Sequence, residues 1–128
     1  MRYLIDTNVW IDALAGKLAA SVFLEFVSQP NWIGYSAITR LELFGYPGLG
    51  DEEEQKITEL LKQFSEISVH SRIIDKAIII RKATRIKVAD AIIAATAIED
   101  DCFLLTRNIE DLKGISGLMV IDPFGIQP

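Results

Sequence analysis

The sequence has very little of what several common kinds of site require. It contains one cysteine, Cys102, and one histidine, His70, so it has neither a pair for an internal disulfide nor a cysteine or histidine cluster for zinc. No glycine-rich phosphate loop is present. No apolar run reaches the roughly 18 to 20 residues that a membrane span needs, and the first residues carry no signal-peptide pattern. We therefore expect a cytoplasmic protein without a membrane segment, in which Cys102 is a buried structural thiol.

The chain has 128 residues, of which 50% are hydrophobic and 24% are charged. This composition is typical of a globular protein with a core of normal size, and we expect a single domain over 1–128. The net charge of −5 argues against a simple nucleic-acid clamp, but it allows an enzyme that binds cations and then acts on phosphates. Six of the thirteen lysine and arginine residues lie between Arg72 and Lys87. A basic face of this kind is more often solvated than bound to RNA.

Short apolar segments alternate with segments of helical periodicity along the chain. The apolar runs predict strands at 3–5, 32–35, 67–69, 103–106 and 118–121. Helices are predicted at 8–14, 18–27, 38–44, 72–84, 91–98 and 108–112, with one more that begins in a capping box at Asp51 and Glu54. Ser36 and Ser71 are predicted N-caps. This alternation predicts an α/β fold: a three-layer sandwich with a mostly parallel central sheet of about five strands and helices on both faces.

Several acidic residues stand where packing gives no reason for charge. Asp6 ends the first strand, Glu42 lies in the short helix after the second strand, and Asp90 begins the most apolar helix. Asn108 and Asp111 follow the fourth strand. The carboxyl ends of parallel strands share one edge of a sheet, where ligands bind, so Asp6 is expected to meet the segment after the fourth strand there. Asp90 joins them only if a crossover precedes its helix.

Carboxylates gathered in a water-poor cleft repel one another and take up protons unless a cation is bound. Oxygen ligands suit Mg²⁺ or Mn²⁺, which keep several waters and take one or two carboxylates together with substrate phosphate. Two such ions activate a water and stabilise the leaving oxygen when a phosphodiester is hydrolysed. This chemistry needs neither a histidine base nor a nucleophilic serine. The acids therefore indicate metal-dependent phosphodiester hydrolysis as one hypothesis.

Each of these residues also has an ordinary structural explanation. Asp6 and Asp90 are both suitable helix N-caps, and Glu42 needs only an exposed position on its helix. Asn108 can cap a helical turn, and Asp111 three residues later can interact favourably with the dipole of that turn. The residue types and their spacing therefore leave a metal site and a set of helix caps both open.

Four segments carry a further pattern: Leu4-Ile5-Asp6-Thr7-Asn8, Ile38-Thr39-Arg40-Leu41-Glu42-Leu43, Ala89-Asp90-Ala91-Ile92-Ile93-Ala94-Ala95-Thr96-Ala97 and Leu105-Thr106-Arg107-Asn108-Ile109-Glu110-Asp111-Leu112. Together they resemble the PIN-domain ribonucleases, and among them the VapC-type toxins of bacterial and archaeal toxin–antitoxin pairs. The resemblance covers essentially the entire chain, with the segments in order and suitably spaced. It implies a parallel sheet with a central first strand, helices on both faces and a Mg²⁺- or Mn²⁺-dependent endoribonuclease site.

The resemblance implies roles for particular residues. Asp6, Glu42 and Asp90 match the three principal acids of the family. Asp6 and Asp90 would be the direct metal ligands, and Glu42 would orient a water or a second ion. Thr106 matches a hydroxyl beside the site that would hydrogen-bond Asp6 or a metal-bound water.

The fourth acidic position is where this chain departs from the family. Members often have aspartate there, whereas this chain has Asn108, with Asp111 one turn later. Asparagine ligates through its carbonyl but brings no charge, so either Asn108 or Asp111 would complete the site. Arg40, Arg107 and the basic stretch 81–87 are candidate phosphate contacts.

The resemblance further implies a homodimer, a cognate antitoxin whose tail covers the acidic cleft, and structured RNA, tRNA or rRNA, as substrate. An acidic toxin suits a basic peptide electrostatically. A non-catalytic binding module on the same fold is an alternative. A phosphatase or receiver-type domain would use Asp6 as a covalent phosphate acceptor, but it needs a partner lysine and signature residues that we do not find. An RNase H-like nuclease would open with an antiparallel hairpin, whereas here a helix follows the first strand.

Overall fold

The computed structural model describes residues 1–17, 29 and 31–123, so the helix predicted at 18–27 lies outside the described residues. Its strands are β1 (Arg2–Ile5), β2 (Trp32–Ser36), β3 (Ser65–Ile67), β4 (Phe103–Leu105) and β5 (Val120–Ile121). Its helices are α1 (Thr7–Leu14), α2 (Ala37–Phe44), α3 (Asp51–Leu61), α4 (Ser71–Ala83), α5 (Val88–Glu99) and α6 (Ile109–Leu112). No helix within these ranges is long and apolar enough to cross a membrane.

The five strands form one sheet in the order β3-β2-β1-β4-β5, and every neighbouring pair is parallel. The central strand is β1, whose residues Leu4 and Ile5 are almost completely buried, as expected for a strand covered on both faces. Parallel neighbours cannot be joined by a hairpin, so helices connect them. The predicted α/β fold with a parallel central sheet is confirmed.

The core lies in two layers, one on each face of the sheet. Successive residues of a strand point to opposite faces. Leu4 accordingly packs with α4 and α5, whereas Tyr3 and Ile5 pack with α1, α2 and α3. Every residue of α5 from 91 to 97 is buried, which agrees with its apolar circumference. The lone thiol of Cys102 is also buried, as predicted.

The predicted helix caps are only partly correct. Ser36 caps α2 as predicted, because its Oγ accepts a hydrogen bond at 3.1 Å from a backbone N–H of the first turn. The predicted capping box at Asp51 is wrong, because Gly50 takes the N-cap position. Asp51 is instead one of four acids in the first turn of α3, where negative charges interact favourably with the helix dipole. Ser71 is likewise not a cap, since His70 takes that position and Ser71 is already helical.

The third strand lies two residues earlier than predicted. We placed it at 67–69 because apolar residues are found there, but β3 is an edge strand at Ser65–Ile67. Its position is determined by pairing with β2, in which Gly34 faces Ser65 and Ser36 faces Ile67. The fourth strand also ends one residue early, at Leu105. Thr106 therefore follows β4 rather than belonging to it.

Candidate active site

Asp6 lies at the carboxyl edge of the sheet, between the central strand β1 and helix α1. It is 3% exposed. Its Oδ1 accepts a hydrogen bond from Thr7 N at 2.7 Å, so Asp6 is also the N-cap of α1. Its Oδ2 accepts a hydrogen bond from Thr106 Oγ1 at 2.8 Å, and its N–H donates to Leu105 O at 2.8 Å. The pairing of strands β1 and β4 thus brings together Asp6 and Thr106, which are 100 positions apart in the chain.

The Asp6 carboxylate occupies an unfavourable electrostatic environment. Burial is the largest cause that raises the pKa of Asp6 to about 6, and the charges of Asp90 and Glu42 contribute in the same direction. The hydrogen bonds from Thr106 and Thr7 lower that pKa but do not offset the burial. Buried carboxylates with perturbed pKa values are typical of functional sites. A role as a helix cap alone would not explain why Asp6 lies close to other acids.

Glu42 reaches the site from the exposed side of α2. Its Oε1 accepts a hydrogen bond from Thr7 Oγ1 at 2.7 Å. The Thr7 hydroxyl has a single proton, so the buried hydroxyl of Thr39, 2.8 Å away, is the donor in the contact between the two threonines. This chain of hydrogen bonds orients Glu42 from beneath the surface. Sequence reasoning did not assign a role to either threonine, although both lie in the segments of the family pattern.

Asp90 reaches the same region because the chain passes through α4 and α5 between β3 and β4. It is the third residue of α5, and Lys87 takes the N-cap position. Burial raises the pKa of Asp90, and the charges of Glu42 and Asp111 raise it further, while Lys87 lowers it. The explanation of Asp90 as an N-cap is therefore wrong. The crossover that the prediction required is present.

Asn108 and Asp111 lie in the turn after β4. The backbone N–H of Asn108 donates to Thr106 Oγ1 at 2.9 Å, and its side chain forms no cap hydrogen bond with α6. Asp111 is exposed and lines a cavity of about 410 Å³ together with Asp90. Besides burial, the charges of Asp90 and Glu42 raise the pKa of Asp6, and those of Glu42 and Asp111 raise the pKa of Asp90; we call the region between these four acids the acidic cleft.

A further set of contacts on α1 was missed by the sequence reasoning. Asn8 and Asp12 are four residues apart and share one face of the helix. Asn8 Oδ1 accepts a hydrogen bond from Arg107 N at 3.2 Å, and Asn8 Nδ2 lies 3.4 Å from both Asp6 Oδ2 and Thr106 Oγ1. The buried Asp12 forms an ion pair, Oδ2 to Arg107 Nε at 2.5 Å, without the alignment of a hydrogen bond. The sequence did offer a signal for this set of contacts: Asn8 and Asp12 are polar residues four apart on a helix that is otherwise mostly apolar.

We expect Arg107→Leu to lower the free energy of unfolding by about 1–3 kcal/mol, because it leaves the Asp12 carboxylate buried without its cation. Asp12→Asn removes the buried charge, so the double variant should be more stable than Arg107→Leu alone. Urea unfolding of the parent, the two single variants and the double variant measures this coupling. Strictly additive losses would show that the ion pair does not stabilise the fold.

The two arginines predicted as phosphate contacts are both paired with acids. Arg40 Nε lies 2.5 Å from Glu66 Oε1, and Arg40 lines a separate cavity with Phe44. Arg107 is held by Asp12. Their charges are therefore already compensated within the fold.

The acidic cleft has the donor chemistry that a hard divalent cation requires. Carboxylate and hydroxyl oxygens are the ligands that Mg²⁺ and Mn²⁺ prefer. Among the residues that the structure describes, no three acidic, histidine or cysteine side chains are already grouped closely enough to hold one ion. Such ions keep several waters and need only one or two protein carboxylates, so Asp6 with one neighbour is a sufficient set. Burial is the largest cause that raises the pKa values of Asp6 and Asp90, and neighbouring acids raise them further; a bound cation would offset both effects by favouring the charged carboxylates.

The fold and the site together define a class of protein, a parallel α/β domain with an acidic cleft at the carboxyl edge of its sheet. The chain belongs to the PIN-domain family, whose model matches residues 3–116. The resemblance inferred from the four sequence segments is thereby confirmed. No curated protein matches the sequence significantly.

Several solved structures are similar over nearly the whole chain. A toxin–antitoxin complex from Klebsiella pneumoniae is 34% identical with a TM-score of 0.78, over 94% of this chain and 97% of that chain. VapBC2 from Rickettsia felis, bound to a promoter DNA fragment, is 24% identical with a TM-score of 0.83, over 94% of this chain and 98% of that chain. VapBC-1 from nontypeable Haemophilus influenzae is 23% identical with a TM-score of 0.82, over 97% and 99%. The last two show the shared fold.

Proposed function

We propose that this protein is a metal-dependent endoribonuclease that hydrolyses phosphodiester bonds of structured RNA, tRNA or rRNA, and that it is the VapC-type toxin of a toxin–antitoxin pair. Its membership of the PIN family and its similarity to toxin–antitoxin complexes support this class. The observation that carries the proposal is Asp6, a carboxylate that is 3% exposed, oriented by Thr106 and close to other acids. Such a costly arrangement is expected where a ligand compensates the charge.

In this proposal Asp6 and Asp90 hold Mg²⁺ or Mn²⁺. A bound ion of this kind acidifies a water and neutralises charge on the phosphate. Thr106 Oγ1 donates its single proton to Asp6 Oδ2 and accepts a hydrogen bond from the Asn108 N–H. Thr106 therefore keeps one Asp6 oxygen in a constant direction.

The remaining acids would act on the water and on the edge of the cleft. Glu42, oriented by Thr7 Oγ1, would position the attacking water or a second ion. Asn108 or Asp111 would complete the cleft on the side of α6. Asp111 has the negative charge that Asn108 lacks, and this charge already raises the pKa of Asp90.

The proposed partners follow from the family and from the charge of the cleft. The chain would bind a cognate antitoxin, as the similarity to a toxin–antitoxin complex suggests, and it would form a homodimer, as the family resemblance implies. A basic antitoxin segment complements a cluster of carboxylates. The protein would act in the cytoplasm, where its RNA substrates and its antitoxin are found.

A non-catalytic binding module of the PIN fold is the second candidate. It is favoured by the lack of a ready group of three metal ligands among the described residues. The uncharged Asn108, at a position where family members often have aspartate, also favours it. The two candidates differ in whether the acidic cleft binds a divalent cation.

Titration of the protein with Mn²⁺ in a calorimeter is expected to give a saturable heat of specific binding. Asp90→Asn should weaken the affinity for Mn²⁺ at least about tenfold, because it removes a charged ligand. Glu52→Gln removes one exposed acid from α3, outside the cleft, and should leave the affinity unchanged. The absence of any specific heat in the parent protein would favour the non-catalytic module.

A further inference from the structure

The basic segment between Arg72 and Lys87 differs from the other cations of the chain. Five of the seven lysine and arginine residues outside it form ion pairs with acids. None of the six inside it pairs with an acid in the described part of the chain. Five of these six are exposed, and Lys76 alone is partly buried. A protein with a net charge of −5 thus has a group of six cations that form no ion pair within the described part of the chain.

Part of this group is explained without a ligand. Arg81 and Lys82 lie in the last turn of α4, where cations interact favourably with the helix dipole. That interaction falls off within the last turn, so it does not explain Arg85 and Lys87. These two residues follow the helix in the connection between α4 and α5.

The exposed cations lead towards the acidic cleft. Arg81 and Lys82 line a groove of about 370 Å³ between α4 and α5. Arg85 and Lys87 line a second cavity, of about 410 Å³, and Asp90 lies in the wall of that same cavity. Val88 lines the groove, and its neighbour in the chain, Lys87, lines the second cavity. The exposed cations therefore lie along two neighbouring cavities from the end of α4 to Asp90, and the wall of the second cavity also carries Glu110 and Asp111.

We propose that Arg81, Lys82 and Arg85 form a basic track that guides an RNA backbone along the end of α4 into the acidic cleft. The inference rests on the proposed nuclease function, which requires a phosphodiester to enter that cleft. An RNA backbone carries closely spaced negative charges, and its binding to exposed cations releases counterions. Asp90 repels the phosphates of RNA and the carboxylates of an acidic protein alike, but the divalent cation of the proposed nuclease site would bind a substrate phosphate and offset that repulsion. The track thus fits a polyphosphate backbone better than an acidic polypeptide.

Two variants that each lose two positive charges test the track. Arg81→Gln/Arg85→Gln removes two of its cations. Arg72→Gln/Lys76→Gln removes two cations from the first half of α4, where Arg72 lies nine residues before Arg81, about 14 Å of helical rise. Lys87 is left unchanged, because its charge acts directly on the pKa of a proposed metal ligand. The two variants are therefore matched in net charge.

Binding is measured by fluorescence anisotropy with labelled bulk tRNA at several salt concentrations. Every protein also carries Asp6→Asn and is kept in EDTA, so that the RNA stays intact. The track variant should bind about 30-fold more weakly at about 0.1 M salt, and its slope of log Kd against log salt should fall by about 1.4 to 1.8, the value for two lost phosphate contacts. The control variant should keep the slope of the parent.

Three results would overturn the track. Equal losses in the two variants would show that only the net charge matters, and an unchanged slope in the track variant would show that RNA does not contact it. Loss of polyglutamate binding with intact tRNA binding would assign the surface to an acidic protein. Because no metal or cleavage enters these measurements, a protein that binds tRNA through the track but does not cleave it would disprove the nuclease alone.

Discussion

Asp6→Asn is expected to lower the rate of metal-dependent RNA cleavage by at least about 10³-fold, a loss of about 4 kcal/mol in transition-state stabilisation. Asp6 is the most buried acid of the cleft, and both of its oxygens are already oriented by hydrogen bonds from the protein. Asparagine offers one neutral oxygen and would hold a divalent cation poorly. The measurement is cleavage of bulk tRNA with Mg²⁺ or Mn²⁺, with EDTA as the metal-free reference.

The loss of cleavage must be separated from a loss of the fold. In EDTA at pH 7, Asp6→Asn should unfold at a temperature close to that of the parent, because the neutral amide removes the cost of a buried charge that Asp90 and Glu42 also repel, and this offsets the one hydrogen bond that its Nδ2 cannot accept. Glu52→Gln, on the exposed first turn of α3, is the matched control and should cleave normally. Metal-dependent cleavage that persists in Asp6→Asn/Asp90→Asn would contradict the site assignment.

Trp10→Ala is expected to lower the free energy of unfolding by about 3–5 kcal/mol. Trp10 is completely buried, and its ring packs edge-on against Tyr35 at 5.9 Å and tilted against Phe64 at 5.1 Å. Truncation therefore leaves a large cavity between α1 and the sheet. Its Nε1 also donates to Ile5 O at 3.0 Å, at the residue before Asp6. Since domains of this size are stable by about 5–15 kcal/mol, thermal unfolding should show a much lower midpoint.

A more conservative change distinguishes the packing of Trp10 from its hydrogen bond. Trp10→Phe keeps an aromatic ring but removes the donor to Ile5 O, and it should cost less than Trp10→Ala. Tyr46→Ala is the control, because Tyr46 is 69% exposed and its loss should change stability by no more than about 0.5 kcal/mol. Equal losses for the two Trp10 variants would mean that the hydrogen bond, and not the packing, dominates.

Some elements were predictable from local sequence and others were not. β1 and α1 were predicted to within one residue, because a continuous apolar run is followed at once by a capped helix. The caps at Asp51 and Ser71 were wrong, because neighbouring residues take the N-cap position. β3 lies two residues before its predicted position, because an edge strand is positioned by the backbone of its partner strand and not by its own apolar residues. The helix predicted at 18–27 lies outside the described residues.

Local patterns were enough to establish a parallel α/β domain and to single out Asp6, Glu42 and Asp90 as acids without a packing role, since periodicity and isolated charge are properties of short segments. The four segments in order were enough to indicate the PIN family. Which side chains meet depends instead on the order of the strands and on the path of the crossover. The pairing of β1 with β4 places Thr106 on Asp6, and the passage through α4 and α5 brings the charge of Asp90 close enough to raise the pKa of Asp6 and places Arg85 and Lys87 in one cavity with Asp90. Contacts between residues about 100 positions apart form only in the assembled sheet, so no local pattern contains them.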